Sequence, residues 1–247
     1  MARSCDDKDR FDMFGRKMPR RFYETVAVVK SANGFSVELD GRSIKTPAKN
    51  LLEVENETIA EAIAADWQGQ VDFIDLEAMY TTKVANTAID RILPNPEEVI
   101  AEMTDYAGSD LLCYRATEPA SLVKRQNDSW DCVLQWLDKT HRCRLVCIGG
   151  VMHRPQPVEA IEKLAENLRQ RSALMLAAMH NLTTLTGSAV LAFAVSDGFL
   201  DGQKAWDCAH VDEDWQTEQW GHDEDAAAHR ARRWLEMEKT ANLLAML

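Results

Sequence analysis

The sequence lacks the features that define several large classes of protein. No apolar run reaches a length of about eighteen residues, which a membrane-spanning helix needs. The nearest run, 173–195, is interrupted by a histidine, an asparagine, three threonines, a glycine and a serine. Basic residues are in deficit, since 28 lysines and arginines stand against 40 acids and give a net charge of −12. Nucleic acids and anionic membranes need an electropositive footprint, so neither is expected as a partner, and no membrane insertion is expected.

Motifs that carry chemistry are also missing. The P-loop, G-x-G-x-x-G, H-E-x-x-H and G-x-S-x-G patterns do not occur. The six cysteines include no C-x-x-C pair, and reduced thiols are expected. Cys143 and Cys147 could share a metal only if their segment were helical, because a strand would hold the two sulfurs too far apart. The sequence therefore predicts no cofactor and no metal.

The first ten residues, M-A-R-S-C-D-D-K-D-R, contain no apolar signal core, and their acids are atypical of a transit peptide. We therefore expect a cytoplasmic protein. Hydrophobic residues make up 46% of the chain and charged residues 28%, which is typical of an ordinary globular protein with a sizeable core.

The order of the patterns predicts an α+β protein. A flexible tail is expected over residues 1–19, a small antiparallel β domain with one helix over 20–78, and a larger, mainly helical domain over 79–247. The predicted strands are 25–30, 35–39, 42–46, 51–54 and 71–76. Between the last two strands, Asn56 is placed to cap a helix that Gly69 ends.

After residue 78 the apolar positions recur mostly at helical spacing. Helices are predicted over 82–93, from Pro96, over 119–140, from Pro157, over 173–195 as one helix or a pair broken at Gly187, over 202–219, and from Asp223. Two short runs, 110–115 and 144–148, are left as possible strands. An antiparallel β domain followed by a helical domain is the architecture that this order indicates.

The helix predicted over Gly202–Gln219 has large apolar side chains on two opposite faces. At about 100° per residue, one stripe contains Trp206, His210, Glu213, Thr217 and Trp220. The opposite stripe contains Cys208, Val211 and Trp215, and it is the better candidate for the domain core because it carries no charge.

Two interpretations of Glu213 remain open at this point. A carboxylate between two large aromatics, Trp206 and Trp220, is typical of a binding surface. Alternatively, both faces are internal and Glu213 is a buried acid paired with an arginine. The neighbouring acids of Asp212-Glu213-Asp214 diverge by about 100° on a helix and cannot flank one substrate bond, so a hydrolase is disfavoured.

One alternative function is an enzyme. The densest group of potential metal ligands is His222-Asp223-Glu224, where a metal-dependent or small-molecule enzyme could place its site. A helix N-terminus decorated with acids explains the same residues without a metal. The absence of any catalytic constellation favours a binding protein.

Seven motifs, in this order along the chain, carry a resemblance to a known family. They are R-F-Y-E-T-V-A-V, L-D-G-R-S-I-K-T-P, A-N-T-A-I-D-R, Y-A-G-S-D-L-L-C-Y-R-A, W-D-C-V-L-Q-W, L-T-G-S-A-V-L-A-F-A and V-D-E-D-W-Q-T-E-Q-W-G. Together, from Arg20 to the last residue, the chain resembles the assembly chaperones of the F-type ATP synthase. Cys132 and Tyr80 stand where the family pattern has proline.

The resemblance implies a chaperone without catalytic activity that holds the free alpha subunit of the catalytic head until the beta subunit replaces it. A family acid that matters for chaperone action matches Glu213. Trp206 and Trp220 are then its possible aromatic neighbours, although core packing is the commoner role of a tryptophan. Asp212, Glu218 and Asp223 would add negative potential around it, and the chain is expected to be a monomer.

Overall fold

The computed structural model describes residues 10–11, 15–150, 152–221 and 223–247. One compact unit ends at Asn86, and a second begins at Thr87. The sequence patterns place a boundary at 78–79 instead, and the division into domains 20–78 and 79–247 stays a prediction.

The first unit contains the predicted small antiparallel sheet. Its strands are β1 (Val26–Lys30), β2 (Phe35–Leu39), β3 (Arg42–Ser43) and β4 (Glu53–Val54). The strand β2 is central, since it pairs antiparallel with each of the other three. At the β1–β2 turn Gly34 has φ of 155°, and a Cβ there would lie 2.3 Å from the Val54 carbonyl oxygen. Only glycine fits this approach of β4 to the turn.

The helix α1 (Glu57–Gln68) follows the sheet and confirms the prediction for this segment. The side chain of Asn56 accepts a hydrogen bond of 2.8 Å from the Thr58 amide, which satisfies one of the free N–H groups at the helix start. The buried face contains Ile59, Ala60, Ile63 and Ala64, and it packs against β1 and β2.

The prediction of a further strand at 71–76 is wrong. Phe73 makes a single bridge to Arg20, and Leu76–Ala78 forms a 3₁₀ turn. The reason is local competition for the backbone: the side chain of Gln70 accepts from the Asp75 amide at 2.7 Å, and the side chain of Asp75 accepts from the Glu77 amide at 3.0 Å. Such side-chain bonds offer the chain an alternative to a strand ladder.

Part of the predicted tail contacts the first unit. Arg16 forms an ion pair of 2.6 Å with Glu77, and the Pro19 carbonyl accepts a bond of 2.8 Å from the Ile74 amide. Positions 1–9 and 12–14 lie outside the described residues, and so does the prediction of flexibility that falls on them.

The second unit is mainly helical and begins at the last residue of α2 (Tyr80–Thr87). Its elements are a π-helical turn (Ala88–Ile92), α3 (Pro96–Gly108), α4 (Ala120–His141), α5 (Val158–Leu168), α6 (Ala173–Thr186), α7 (Ala189–Ser196), α8 (Gly202–Ala209), α9 (Val211–Trp220) and α10 (Glu224–Leu244). In the part of the chain that the structure describes, no helix is both long and apolar enough to cross a membrane. The α+β class with a small antiparallel sheet and a mainly helical remainder is confirmed.

The core of the second unit surrounds α7. Every residue from Ala189 to Val195 is buried, and α7 contacts α3, α4, α6, α8 and α10. The sequence allowed either one helix or a pair over 173–195, and the structure has a pair. Gly187, with φ of +71°, ends α6, and the Ser188 side chain caps α7 by accepting from the Leu191 amide.

The two runs left as possible strands pair with each other over a short stretch. The strands β5 (Tyr114–Arg115) and β6 (Ile148–Gly149) form a parallel pair. A 3₁₀ turn, Leu111–Cys113, precedes β5.

The prediction of one helix over 202–219 is wrong, because the chain breaks at His210 into α8 and α9. The His210 ring nitrogen Nδ1 lies 2.8 Å from the Trp206 carbonyl oxygen, the acceptor that a continuous helix would offer to the His210 amide. That amide instead donates to Asp207 at 3.3 Å, and the His210 carbonyl accepts from Asp214 to start α9. The side chain thus displaces the backbone amide from its acceptor.

Candidate functional site

A groove of about 770 Å³ lies in the second unit, and we call it the α9–α10 groove. It is lined by residues of α8, α9 and α10 and of the segments between them. The lining includes Trp206, His210, Glu213, Asp214, Trp220, Asp223, Arg230, Arg233 and Trp234.

Local sequence sets the two long walls of the groove. Gly221, with φ of +93°, ends α9 in a conformation that favours glycine. Asp223 then starts α10, and its carboxylate accepts from the amides of Asp225 and Ala226 at 2.9 and 3.1 Å. An ion pair between Asp214 of α9 and Arg230 of α10 connects the walls.

Glu213 is exposed at the groove. Its side chain retains 62% of its accessible surface, and the Nε2 atom of His210 lies 3.8 Å from its Oε2. Among the described residues, no lysine or arginine forms an ion pair with it. The interpretation of Glu213 as a buried acid paired with an arginine is therefore wrong, because solvent and not a guanidinium compensates its charge.

Trp206 and His210 form a buried part of the lining. Trp206 is only 4% exposed, and its ring centroid lies 3.9 Å from that of His210 and 5.7 Å from that of Trp234. Burial lowers the pKa of His210, partly opposed by its hydrogen bond to the Trp206 carbonyl. His210 is therefore a neutral ring near pH 7, with its proton placed on Nδ1 by that carbonyl.

Trp220 differs from Trp206 although both belong to the same predicted stripe. It is 75% exposed, and its ring packs edge-to-face on Trp215 with centroids 5.6 Å apart. The indole nitrogen of Trp215 donates to the Ser121 hydroxyl of α4 at 3.3 Å. Trp220 thus presents a large apolar surface to the solvent at the groove that Glu213 also lines, a combination typical of binding surfaces.

The other two predicted site residues do not line the groove. The Asp212 carboxylate accepts from the Gln126 side chain at 2.7 Å, and Glu218 forms an ion pair of 2.8 Å with Arg125. Both partners belong to α4, so these acids hold α9 against α4. The structure thus brings together Glu213, Trp206 and Trp220, and separates them from Asp212 and Glu218.

Three groove residues of α10 were missed as site residues: Arg230, Arg233 and Trp234. Their sequence spacing places them on one helical face, which is a usable signal. A single straight helix over 202–219 does not predict that this face of α10 lies across the groove from Glu213. In the structure the helix breaks at His210, and both faces line the groove.

The alternative enzyme site near His222 and Asp223 stays a prediction. His222 lies outside them, and the Asp223 carboxylate is engaged as the cap of α10. No group of three or more histidine, cysteine, aspartate or glutamate side chains that could hold a metal occurs within the described ranges. Cys143 is buried, which raises the pKa of its thiol to about 12 and keeps it protonated.

Comparison with known proteins places the chain in a family. A sequence profile of the ATP12 chaperone protein matches residues 20–138. The crystal structure of Atp12 from Paracoccus denitrificans superposes with a TM-score of 0.86 at 37% identity, covering 92% of this chain and 98% of that one. The chain belongs to the ATP12 chaperone family. The structural match covers both compact units, whereas the profile ends within α4.

Two further proteins that are similar to this chain agree with the family assignment. The Atu1473 protein of Agrobacterium tumefaciens is 41% identical, with a TM-score of 0.88 over 92% of this chain and 86% of that one. The mitochondrial protein atp12 of Schizosaccharomyces pombe is 23% identical, and the match covers 84% of this chain and 75% of the relative. The family resemblance predicted from the seven motifs is confirmed, and the protein is a chaperone of ATP synthase assembly.

Proposed function

We propose that this ATP12-family chaperone binds the free alpha subunit of the F-type ATP synthase head through the α9–α10 groove and holds it until the beta subunit takes its place. The observation that supports the site is Glu213, a 62% exposed acid without a lysine or arginine partner in the described chain, which lines the same groove as the exposed Trp220. The resemblance of the V-D-E-D-W-Q-T-E-Q-W-G motif supports the client.

The free alpha subunit needs a partner that covers its apolar interface for a limited time. A subunit of a larger head exposes the apolar interface that its neighbour later covers, and such an interface is an aggregation hazard while it is free. The groove offers an apolar indole for that surface and a carboxylate for a positive rim. Binding that uses few anchors can yield to the larger interface of the proper partner.

In this proposal the chaperone acts as a monomer and catalyses no reaction. Near pH 7 the groove presents a neutral imidazole, an exposed carboxylate and an acid–arginine pair, which is an arrangement for recognition. The cytoplasm stays the predicted compartment.

Co-expression with the alpha subunit of the same organism tests the client assignment. The chaperone is expected to keep alpha soluble in a one-to-one complex, as measured by size-exclusion chromatography with light scattering. Addition of purified beta subunit is then expected to release the free chaperone as an alpha–beta assembly forms. An alpha subunit whose solubility does not change in the presence of the chaperone would refute the proposal.

A further inference from the structure

His210 and Glu213 present two hydrogen-bond acceptors side by side in the groove. The Nδ1 of His210 lies 2.8 Å from the Trp206 carbonyl oxygen, and only a protonated nitrogen can bond to a carbonyl. In the neutral ring Nε2 therefore carries a lone pair. It faces Oε2 of Glu213 at 3.8 Å, beyond hydrogen-bond distance, and two acceptors cannot satisfy each other.

The His210 side chain is fixed in this orientation. It is only 5% exposed, and its ring packs on that of Trp206. No hydrogen bond to Nε2 forms within the part of the chain that the structure describes, although His210 lines the groove. Because His210 lines the groove, its Nε2 lone pair is available to a ligand that brings an N–H group.

Of the described charged groups around the pair, Glu213 is the one that is open to a cation. On α10, Arg230 pairs with Asp214, and Arg233 donates to the Leu185 carbonyl. The positive charges of both arginines add to burial in lowering the pKa of His210, against the opposing effect of Glu213. Glu213, beside this neutral acceptor, has no lysine or arginine partner among the described residues.

We propose that His210 Nε2 and Glu213 Oε2 together form a seat for one arginine side chain of the bound alpha subunit. This inference rests on the proposed function and names the chemistry that the groove recognises. A guanidinium carries several N–H donors in one plane, so it can give one to each of two acceptors 3.8 Å apart. An ammonium has all its donors on one nitrogen and matches two separate acceptors less well.

Two substitutions of His210 separate the acceptor from the packing role of the ring. In His210→Asn the amide can reach only as far as Nδ1, so the bond to Trp206 is kept and the Nε2 acceptor is lost. In His210→Gln the longer side chain can place its amide oxygen where Nε2 was. We expect His210→Asn to weaken binding of the alpha subunit about tenfold and His210→Gln to restore most of the affinity.

The direct test is a double-mutant cycle with the intact alpha subunit. Exposed arginines of alpha are replaced one at a time by alanine or lysine, and each variant is titrated with the native chaperone, Glu213→Gln and His210→Asn. One arginine-to-alanine change is expected to cost about tenfold with the native chaperone and at most about twofold with either variant. The matching lysine change is expected to restore only part of the affinity.

Each outcome bears on a different claim. An alpha subunit that binds the native chaperone while no single arginine shows coupling to His210 and Glu213 would overturn the seat and leave the client assignment standing. Coupling to a lysine instead would overturn the choice of arginine. The absence of any complex with alpha would overturn the proposed function and the seat with it.

Discussion

At the scale of single residues, exposure separates side chains that the sequence presents as equivalent. Trp206 and Trp220 share one predicted stripe, yet the first is 4% exposed and the second 75%. Helical spacing assigns residues to a face, but it does not say which neighbours cover that face. In this chain His210 and Trp234 cover Trp206.

The two tryptophans are therefore expected to respond differently to replacement by alanine. Trp206→Ala should lower the free energy of unfolding by about 3–5 kcal/mol, because it leaves a cavity under His210. Trp220→Ala should change it by at most about 0.5 kcal/mol and should weaken binding of the alpha subunit. Urea unfolding measures the first quantity and titration with alpha the second. Equal losses of stability in both variants would contradict the assignment of Trp206 to the core and Trp220 to the surface.

Asp110 is a buried acid on which three elements depend. It is fully buried, and its carboxylate accepts from the Ser188 hydroxyl and from the amides of Val190 and Leu112 at 2.8, 3.1 and 3.0 Å. Burial raises its pKa from 3.8 to about 6, against the lowering effect of those hydrogen bonds. The raised value means that the folded chain binds this proton more tightly than the unfolded chain does.

The pH dependence of stability follows from that difference. The contribution of Asp110 is fully present below pH about 4 and is lost as the pH rises to about 6, so the free energy of unfolding should fall by about 3 kcal/mol over this window. The Asp110→Asn variant has no proton to lose and should lack this fall. Urea unfolding of both proteins at several pH values between 4 and 7 measures it. Parallel pH profiles for the two proteins would contradict the raised pKa.

At the scale of elements, helix α1 shows what a sequence predicts well. Asn56 supplies the cap, apolar positions recur at helical spacing, and Gly69 ends the helix. All of these signals are local, and they agree with one another. The break between α8 and α9 is different in kind, because the His210 ring takes the Trp206 carbonyl away from the backbone. The apolar residues keep their helical spacing from α8 into α9, so this spacing does not predict the break at His210.

The contact of α8 with α10 gives a prediction at this scale. Gly202 lies so close to α10 that an added Cβ would be 2.6 Å from the Ala241 Cβ. Gly202→Ala should therefore lower the free energy of unfolding by about 1–3 kcal/mol, although alanine is the better helix former.

A second substitution provides the control for Gly202→Ala. Ala241→Gly removes the clashing methyl group, so the double variant should recover part of the stability that Gly202→Ala loses. The coupling free energy from a double-mutant cycle measures this recovery. Additive losses in the double variant would show that the two helices do not meet at this point.

At the scale of the whole molecule, the order of strands and helices was predictable, and the groove was not. The change from alternating to helical patterns places the small sheet before the helical unit, as observed. The groove depends on which faces of α9 and α10 oppose each other, and no local pattern encodes that pairing. The seven motifs identify the family, while exposure of Glu213 and burial of His210 come from the structure alone.

The central claim is that the α9–α10 groove binds the alpha subunit through Glu213. The most direct measurement is the affinity of purified alpha for the native chaperone, for Glu213→Gln and for Glu162→Gln, a matched change of an exposed acid on α5. All three proteins should have the same melting temperature, because exposed substitutions cost at most about 0.5 kcal/mol. We expect Glu213→Gln to bind alpha about tenfold more weakly and Glu162→Gln to bind like the native protein. Equal affinities for all three would contradict the account.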